Sequence, residues 1–358
     1  MEKASLNFLE ELLAIPSPSG FEEEAVKLWS KYAGKYADGV EKDVHGNAMA
    51  VLNSKGAPRV MLAGHIDEIG FMVTYINDEG FLYFGQVGGH DRQIIQGMRV
   101  RISTAKGPII GLLGKKPVHL MKGDDSKKVP DMEDLWIDIG AKNGKEAKKL
   151  VAIGDPLILD MEFMKMRNGF AVARGFDDRI GAFVAVEALR ILSASRPKPA
   201  AAVYAVATVQ EEIGLRGAIT STFHIDPLVG VAIDVTHATD YPGASGSKSR
   251  VGDIRLGKGP AVTRGPNINP KVFSRLVGAA KKKKIAVQIE AATGGTGTDA
   301  NVMQVSKSGV ATGLVSIPNR YMHTPCEMVS LDDVENAAKL LAAFIQDIGP
   351  RANFIPSE

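Results

Sequence analysis

Cysteine is nearly absent from this chain, since Cys326 is the only one among 358 residues. One thiol cannot form a disulfide within the chain, so a reducing compartment is expected. The N-terminal segment lacks the basic start and the unbroken apolar stretch of a signal peptide. No window approaches the roughly 18 consecutive apolar residues of a membrane span. These absences predict a cytoplasmic protein that has no membrane partner.

An excess of charge of one sign is also missing. Lys and Arg number 43 against 41 Asp and Glu, which gives a formal net charge of +2. No long-range field follows from this balance, so no nucleic-acid partner is predicted. The one basic run, Lys281 to Lys284, falls at the end of a predicted helix, where the helix dipole favours cations. We interpret it as a solvated helix end.

The apolar pattern predicts an α/β fold. The chain is 45% hydrophobic, and its length suggests two domains. Leucines at helical spacing predict a helix that ends before Pro16, and a second helix covers residues 22–36. We predict Asn269 as the cap of a helix that begins at Pro270, and a capping box of Ser330 and Asp333 for a last helix at 332–346. The apolar runs predicted as strands are Asn47–Val51, Arg59–Gly64, Ala202–Val209, Leu228–Ile233, Ile285–Ile289 and Ala311–Ile317.

Residues 73–160 have a different sequence pattern. Short β-prone runs alternate there with Gly and Asp turns, without a helical period. The polar segment Lys122–Lys128 is predicted to be a loop. We therefore expect an α/β domain of mixed sheet made of residues 1–72 and 161–358, interrupted by a β-rich insertion at 73–160.

Several predicted strands run directly into potential metal ligands. His65 and Asp67 follow one strand, and Glu211 and Glu212 follow another. Open α/β sheets bind ligands at the carboxyl ends of their strands. Imidazoles and carboxylates without a thiol suit a hydrolytic zinc, cobalt or manganese site. The remaining candidates at such positions are Asp234, His323 and the pair Asp177-Asp178 before a helix.

The spacing of these residues suggests separate roles. Adjacent residues on extended backbone point in opposite directions, so one of Glu211 and Glu212 can bind metal while the other faces the reacting water. His65 and Asp67 are two residues apart and point the same way. This suits a histidine ligand whose second ring nitrogen is held by a carboxylate.

Four motifs carry a family resemblance. They are Gly64-His65-Ile66-Asp67-Glu68-Ile69-Gly70, Phe176-Asp177-Asp178-Arg179, Gln210-Glu211-Glu212-Ile213-Gly214 and Arg320-Tyr321-Met322-His323-Thr324-Pro325. Together with Asp234, they resemble the tetrahedral (TET) metallo-aminopeptidases, which include glutamyl aminopeptidases and enzymes once labelled endoglucanases. The resemblance covers essentially the whole chain, including the position of the insertion.

The resemblance implies a di-metal aminopeptidase that acts on peptides. His65, Asp177 and Asp234 would hold one divalent ion, and Asp177, Glu212 and His323 the other, with Asp177 bridging. The ions would be zinc or cobalt, with manganese as a third candidate. Glu211 would be the general base, Asp67 would orient His65, and the Asp177–Asp178 peptide bond would be cis.

The same resemblance extends to the insertion and to one loop. The insertion would be a PDZ-like dimerisation domain, and its dimers would assemble into hollow dodecamers. The family's Gly-Gly-Thr-Asp-Ala segment corresponds here to Gly294–Ala300, which is two residues longer. The resemblance therefore does not define which substrate contacts Thr298 and Asp299 make.

Three alternative functions compete with the aminopeptidase. A glycosidase needs carboxyl groups on opposite sides of a sugar bond, which adjacent Glu211 and Glu212 do not provide. A related di-metal deacylase or carboxypeptidase shares the ligands but differs in the place of its insertion. A non-catalytic assembly protein would not need the complete ligand set.

Two further histidines remain candidates outside the motifs. His90 of the insertion could reach the active site of a partner, and His237 lies close to Asp234 in the sequence. The sequence does not define the preferred N-terminal residue.

Overall fold

The computed structural model describes residues 1–123 and 127–357, so the loop predicted at 122–128 lies partly outside the described residues. Two sheets organise the chain: an 11-stranded mixed sheet and a closed barrel. The strands, numbered in chain order, are β1 Gly39–Lys42, β2 Ala48–Leu52, β3 Arg59–His65, β4 Gly70–Ile76, β5 Leu82–Val87, β6 Arg99–Thr104, β7 Gly107–Gly114, β8 Trp136–Asp138, β9 Pro156–Leu159, β10 Met164–Lys165, β11 Phe170–Ala173, β12 Ala202–Thr208, β13 Val229–His237, β14 Ala261–Arg264, β15 Gln288–Ala291, β16 Ala311–Arg320 and β17 Glu327–Ser330.

The helices mostly follow the predicted pattern. They are α1 Lys3–Ala14, α2 Glu23–Ala33, α3 Gly144–Leu150, α4 Phe176–Ala194, α5 Arg216–Ile225, α6 Lys248–Val251, α7 Pro270–Lys283, α8 Ala300–Met303 and α9 Leu331–Gln346. The cap at Asn269 is confirmed, because its side chain accepts a hydrogen bond from the N–H of Lys271 at 2.9 Å. None of the helices in the described part of the chain has the length and apolar character needed to cross a bilayer.

Two local predictions are wrong. Ser330 makes no side-chain cap hydrogen bond, and Asp333 instead accepts the backbone N–H groups of Gly257 and Gly259, each at 2.7 Å. The insertion also contains helix α3, capped by Asn143, whose side chain accepts the N–H of Glu146. With only 7 residues, α3 is too short to show a helical period in the sequence.

The large sheet has the order β1-β2-β12-β3-β13-β16-β17-β11-β10, with β14 paired to β16 and β15. Its central strands β12, β3, β13 and β16 are parallel, and the flanking pairs are antiparallel. The predicted mixed α/β fold is thus confirmed. Two central strands are longer than predicted: β13 continues to His237, which places Asp234 inside the strand, and β16 continues to Arg320.

Helices cover the sheet on both faces. Val60 and Leu62 of β3 belong to the core formed with α1, α2, α4, α7 and α9, whereas Met61 and Ala63 pack with residues of α5 and α8. This alternation is the period of two expected for a strand buried on both faces. Helix α4 lies very close to β3, because a Cβ added to Gly64 would lie 2.1 Å from the carbonyl carbon of Gly181.

The barrel closes in the order β4-β5-β8-β7-β6-β9. Its interior is apolar and includes the buried side chains of Phe71, Leu82, Phe84 and Ile137. Strand β7 alternates, so that Leu113 points inward while Ile110 and Leu112 are 49% and 54% exposed. The barrel therefore has its own core and carries apolar side chains on its outer face.

Candidate functional site

The predicted site residues meet at the carboxyl edge of the parallel strands. His65 ends β3 and is in register with Thr208, the last residue of β12. Asp177 lies at the start of α4, joined to Asp178 by a cis peptide bond. The structure brings together all the residues predicted for catalysis or metal binding: His65, Asp67, Asp177, Glu211, Glu212, Asp234 and His323.

Asp177 lies between the two histidines. One carboxylate oxygen is 3.2 Å from Nε2 of His65, and the other is 3.2 Å from Nε2 of His323. Potential ligand atoms of His65, Asp177 and Glu212 lie within 4.8 Å of one another, and so do those of His65, Asp178 and Asp234. The side chains therefore form two adjoining clusters that share an imidazole.

Asp67 contacts both His65 and the backbone of the two glutamates. Nδ1 of His65 lies 3.1 Å from the backbone oxygen of Asp67 and 3.4 Å from its carboxylate. A carbonyl oxygen can only accept, so this contact places the proton on Nδ1 and leaves Nε2 free to bind metal. The Asp67 carboxylate also accepts the backbone N–H groups of Glu211 at 3.0 Å and Glu212 at 3.2 Å.

Glu211 and Glu212 diverge for a reason that the sequence did not predict. They lie outside the strand, since β12 ends at Thr208, and Gln210 just before them has a φ of 56°. Nevertheless, the carboxylate of Glu211 lies 3.7 Å from Nε2 of His65, while that of Glu212 lies 3.5 Å from Nε2 of His323. The two carboxylates thus lie beside different histidines.

Two further carboxylates hold the backbone of the site. Asp178 accepts the N–H of His65 at 3.2 Å and that of Gly181 at 3.0 Å. Glu327, at the start of β17, accepts the N–H groups of Asp177 and His323, both at 3.0 Å. The sequence analysis missed Glu327. Its only signal was an acidic residue close after the motif that contains His323.

A buried ion cluster anchors the segment on either side of Asp177. Glu68 pairs with Arg174, which donates from Nη1 at 2.6 Å, and with Arg179. Arg179 also donates to the backbone oxygens of Leu12 at 2.9 Å and Ile15 at 2.7 Å. Because the two arginines bracket the Asp177-Asp178 pair in the sequence, this cluster fixes the start of α4 against the end of α1.

The electrostatics of the site favour a cation. Burial, reinforced by the charge of nearby carboxylates, raises the pKa of Glu211 to about 10 and that of Glu212 to about 8. Burial opposes the ionisation of Asp177, but hydrogen bonds from His323 and His65 outweigh it and lower its pKa. Oε1 of Glu212 is buried and accepts no hydrogen bond from the described residues. This donor set fits divalent metal ions.

A cavity of about 370 Å³ opens beside the clusters. Thr298 lines it, whereas Asp299 is buried and accepts a hydrogen bond from the hydroxyl of Thr208 at 2.6 Å. His237, the last residue of β13, also lines the cavity. Of the two residues of the Gly294–Ala300 loop singled out in the sequence, Thr298 therefore faces the cavity and Asp299 does not line it.

His90 lies beside the site of its own chain. Its ring stacks on Phe71 with 4.0 Å between ring centroids, and Nε2 lies 2.9 Å from the backbone oxygen of Gly70. It lines a cleft together with Glu212 and His323. The loop after β5 therefore brings the barrel into contact with the metal-ligand candidates.

Comparison with known proteins decides the family. Residues 46–340 match the family model described as M42 glutamyl aminopeptidase. The chain belongs to the M42 family of aminopeptidases. This confirms the resemblance drawn from the four motifs, and it favours peptide hydrolysis over the glycosidase and deacylase alternatives.

M42 relatives match along nearly the whole chain. The lysyl aminopeptidase of Pyrococcus furiosus is 37% identical over 346 residues, which cover 96% of this chain and 97% of the relative. The structure of a TET aminopeptidase from a marine sediment Thaumarchaeota archaeon has a TM-score of 0.92 at 35% identity, covering 97% and 98% of the two chains. The Pyrococcus horikoshii TET1 peptidase, described as able to assemble into a tetrahedron or a large octahedral shell, has a TM-score of 0.85 at 32% identity, covering 96% and 100%.

Proposed function

We propose that this M42 aminopeptidase uses two divalent metal ions, zinc or cobalt. His65, Asp177 and Asp234 would hold one ion, and Asp177, Glu212 and His323 would hold the other. The observation that carries the proposal is the position of Asp177, whose two oxygens face two different imidazoles at 3.2 Å each. Asp178 is not a ligand in this assignment, because its oxygens already accept the N–H groups of His65 and Gly181.

The metal ions would supply positive charge that lowers the pKa of a water and of the surrounding carboxylates and polarises the scissile carbonyl. Glu211 then accepts the proton of the attacking water and delivers it to the leaving amine. General base catalysis of this kind contributes about 10²–10⁴-fold to the rate. Asp67 fixes the backbone of Glu211 and the ring of His65, so it acts as a positioning residue.

Residues 73–160 form the dimerisation domain in this proposal, of the PDZ-like kind, and residues 1–72 and 161–358 form the catalytic domain. The exposed Ile110 and Leu112 on the outer face of the barrel support an association surface there. The structure of PhTET1-12s, described as a dodecamer, supports a closed dodecamer for this chain that would admit peptides. A cytoplasmic location completes the proposal and rests on the near absence of cysteine.

Metal removal and add-back test the central claim. Chelation is expected to abolish hydrolysis of aminoacyl-p-nitroanilides, and cobalt or zinc is expected to restore it. Full activity in a sample shown by elemental analysis to be metal-free would refute the metal mechanism.

Matched substitutions separate the two glutamates. Glu211→Gln is expected to lower kcat by about 10²–10⁴-fold while two metal ions per chain remain bound. Glu212→Gln is expected to lose one ion. The opposite pattern of metal content would exchange their roles.

A further inference from the structure

The cavity beside the metal-ligand candidates has an acidic wall that catalysis does not use. Glu290 lines the same space of about 370 Å³ as His65, Asp177 and Asp234. On β15, Glu290 is half-buried, whereas its neighbours Ile289 and Ala291 on the other face of the strand are exposed. The strand therefore directs the Glu290 carboxylate towards the interior and the cavity.

Two threonine hydroxyls hold this carboxylate in place. Thr236 of β13 donates to Oε1 of Glu290, and Thr263 of β14 donates to Oε2 at 3.1 Å. Thr236 is two residues beyond Asp234 on the same strand, so both side chains point to the same face. Two residues along a strand span about 7 Å. The carboxylate is thus fixed roughly one amino-acid side chain away from the proposed metal ligand Asp234.

Glu290 has no lysine or arginine partner among the described residues. Within the described ranges no lysine or arginine forms an ion pair with it, and none of the described residues that line the cavity is a lysine or an arginine. A carboxylate can accept about four hydrogen bonds. The two threonines use only part of that capacity, so donors from a bound molecule can still be accepted.

We propose that this cavity receives the side chain of the substrate's N-terminal residue and that Glu290 selects lysine or arginine there. The inference rests on the proposed aminopeptidase function of the same site. The methylene stem of such a side chain would pack along Leu314 and Met322 of the cavity wall, and its cationic end would donate to Glu290. An N-terminal glutamate would instead place its carboxylate against that of Glu290, with no lysine or arginine among the described lining residues to pair with it.

Aminoacyl-p-nitroanilides of lysine, arginine, leucine and glutamate test this on the metal-loaded enzyme. We expect kcat/KM for lysine and arginine to exceed that for leucine by about 10–100-fold, the value of a charge-assisted hydrogen bond, and glutamate to be the poorest. An enzyme that cleaves leucine as well as lysine overturns the selection by Glu290 but leaves the proposed function intact. Failure to cleave any of the four with metal present overturns both.

Substitution of Glu290 locates the effect. Glu290→Gln is expected to remove the preference for lysine over leucine while kcat/KM for leucine stays within a few-fold, which also shows that the variant is folded. Glu290→Asp keeps the charge and should retain part of the preference. Asp347→Asn, which removes an exposed carboxylate outside the cavity, serves as the control and should leave the ratio unchanged. Equal losses for lysine and leucine in both Glu290 variants would reduce Glu290 to a structural tie and overturn the inference.

Discussion

Glu327 offers a sharp test of how the site is held, because it touches two proposed ligands through their backbones only. Its buried carboxylate accepts the N–H of Asp177 with one oxygen and the N–H of His323 with the other. Glu327→Gln keeps the shape but leaves a single acceptor oxygen. The amide NH₂ must then face one of the two N–H groups, so one buried donor loses its partner.

The expected magnitude follows from that count. A buried donor left without a partner costs about 1–3 kcal/mol. If the loss falls on the metal-bound geometry, it corresponds to about 10–100-fold weaker metal affinity, the range typical for residues that orient metal ligands. We expect the ion proposed for Asp177, Glu212 and His323 to be affected most, because both disturbed backbones belong to its proposed ligands.

Competition titration with a chromophoric chelator measures this affinity, and circular dichroism verifies the fold. Glu24→Gln provides the matched control, because Glu24 is exposed and its one ion pair within the described residues is with Lys27 at 3.7 Å. That control should bind metal as the wild type does. Wild-type metal affinity in Glu327→Gln would refute the role assigned to Glu327, and so would a loss of stability at unchanged affinity.

Two other predictions concern the stability and the assembly of the chain. Burial opposes the ionisation of Glu68, but the charges of Arg174 and Arg179 outweigh it and lower the pKa of Glu68 below its usual 4.5. The ion pairs of Glu68 therefore stabilise the fold above pH 4.5, and this stabilisation is lost as the pH falls below that value. Glu68→Gln is expected to lower the free energy of unfolding by about 3–5 kcal/mol at pH 7, because two buried arginines lose their partner, and the difference from wild type in urea titrations should shrink towards pH 3. A difference that does not depend on pH would contradict this. Leu112→Asp should shift the mass seen by light scattering towards the 38.2 kDa of one chain; a wild-type mass that is already 38.2 kDa would refute assembly.

The placement of the metal-ligand candidates could be predicted because it follows from sheet geometry. Parallel strands end at one edge, so apolar runs followed by His65 and by Glu211 had to deliver these side chains to the same place. The same rule predicted the position of Asp234 correctly although its strand continues to His237. Its strand β13 pairs in parallel with β3, which ends at His65, so Asp234 still lies near that edge.

The residues that position the ligands could not be predicted, because their partners are distant in sequence. Glu327 meets Asp177 across 150 positions, and Glu290 meets Thr236 across 54. Local patterns fail for the same reason where a tertiary contact competes with them. Asp333 has the spacing of a capping box, but the N–H groups of Gly257 and Gly259 take its carboxylate.

One feature of the site connects its construction with its need for metal. Carboxylates outside the proposed ligand set accept the backbone N–H groups of five functional residues: Asp178 accepts that of His65, Glu327 those of Asp177 and His323, and Asp67 those of Glu211 and Glu212. Charge-assisted hydrogen bonds of this kind are short and directional, so they fix ligand positions well.

Asp67 also belongs to a group of carboxylates, with Asp177, Asp234 and Asp299, that repel Glu211 or Glu212. Burial, together with this repulsion, raises the pKa values of Glu211 and Glu212 in the metal-free protein. Two divalent cations would remove this unfavourable interaction, and their binding free energy would add to the stability of the folded state. Metal binding would thus balance charge that the proposed ligands Asp177 and Asp234 and the positioning residue Asp67 themselves bring to the site.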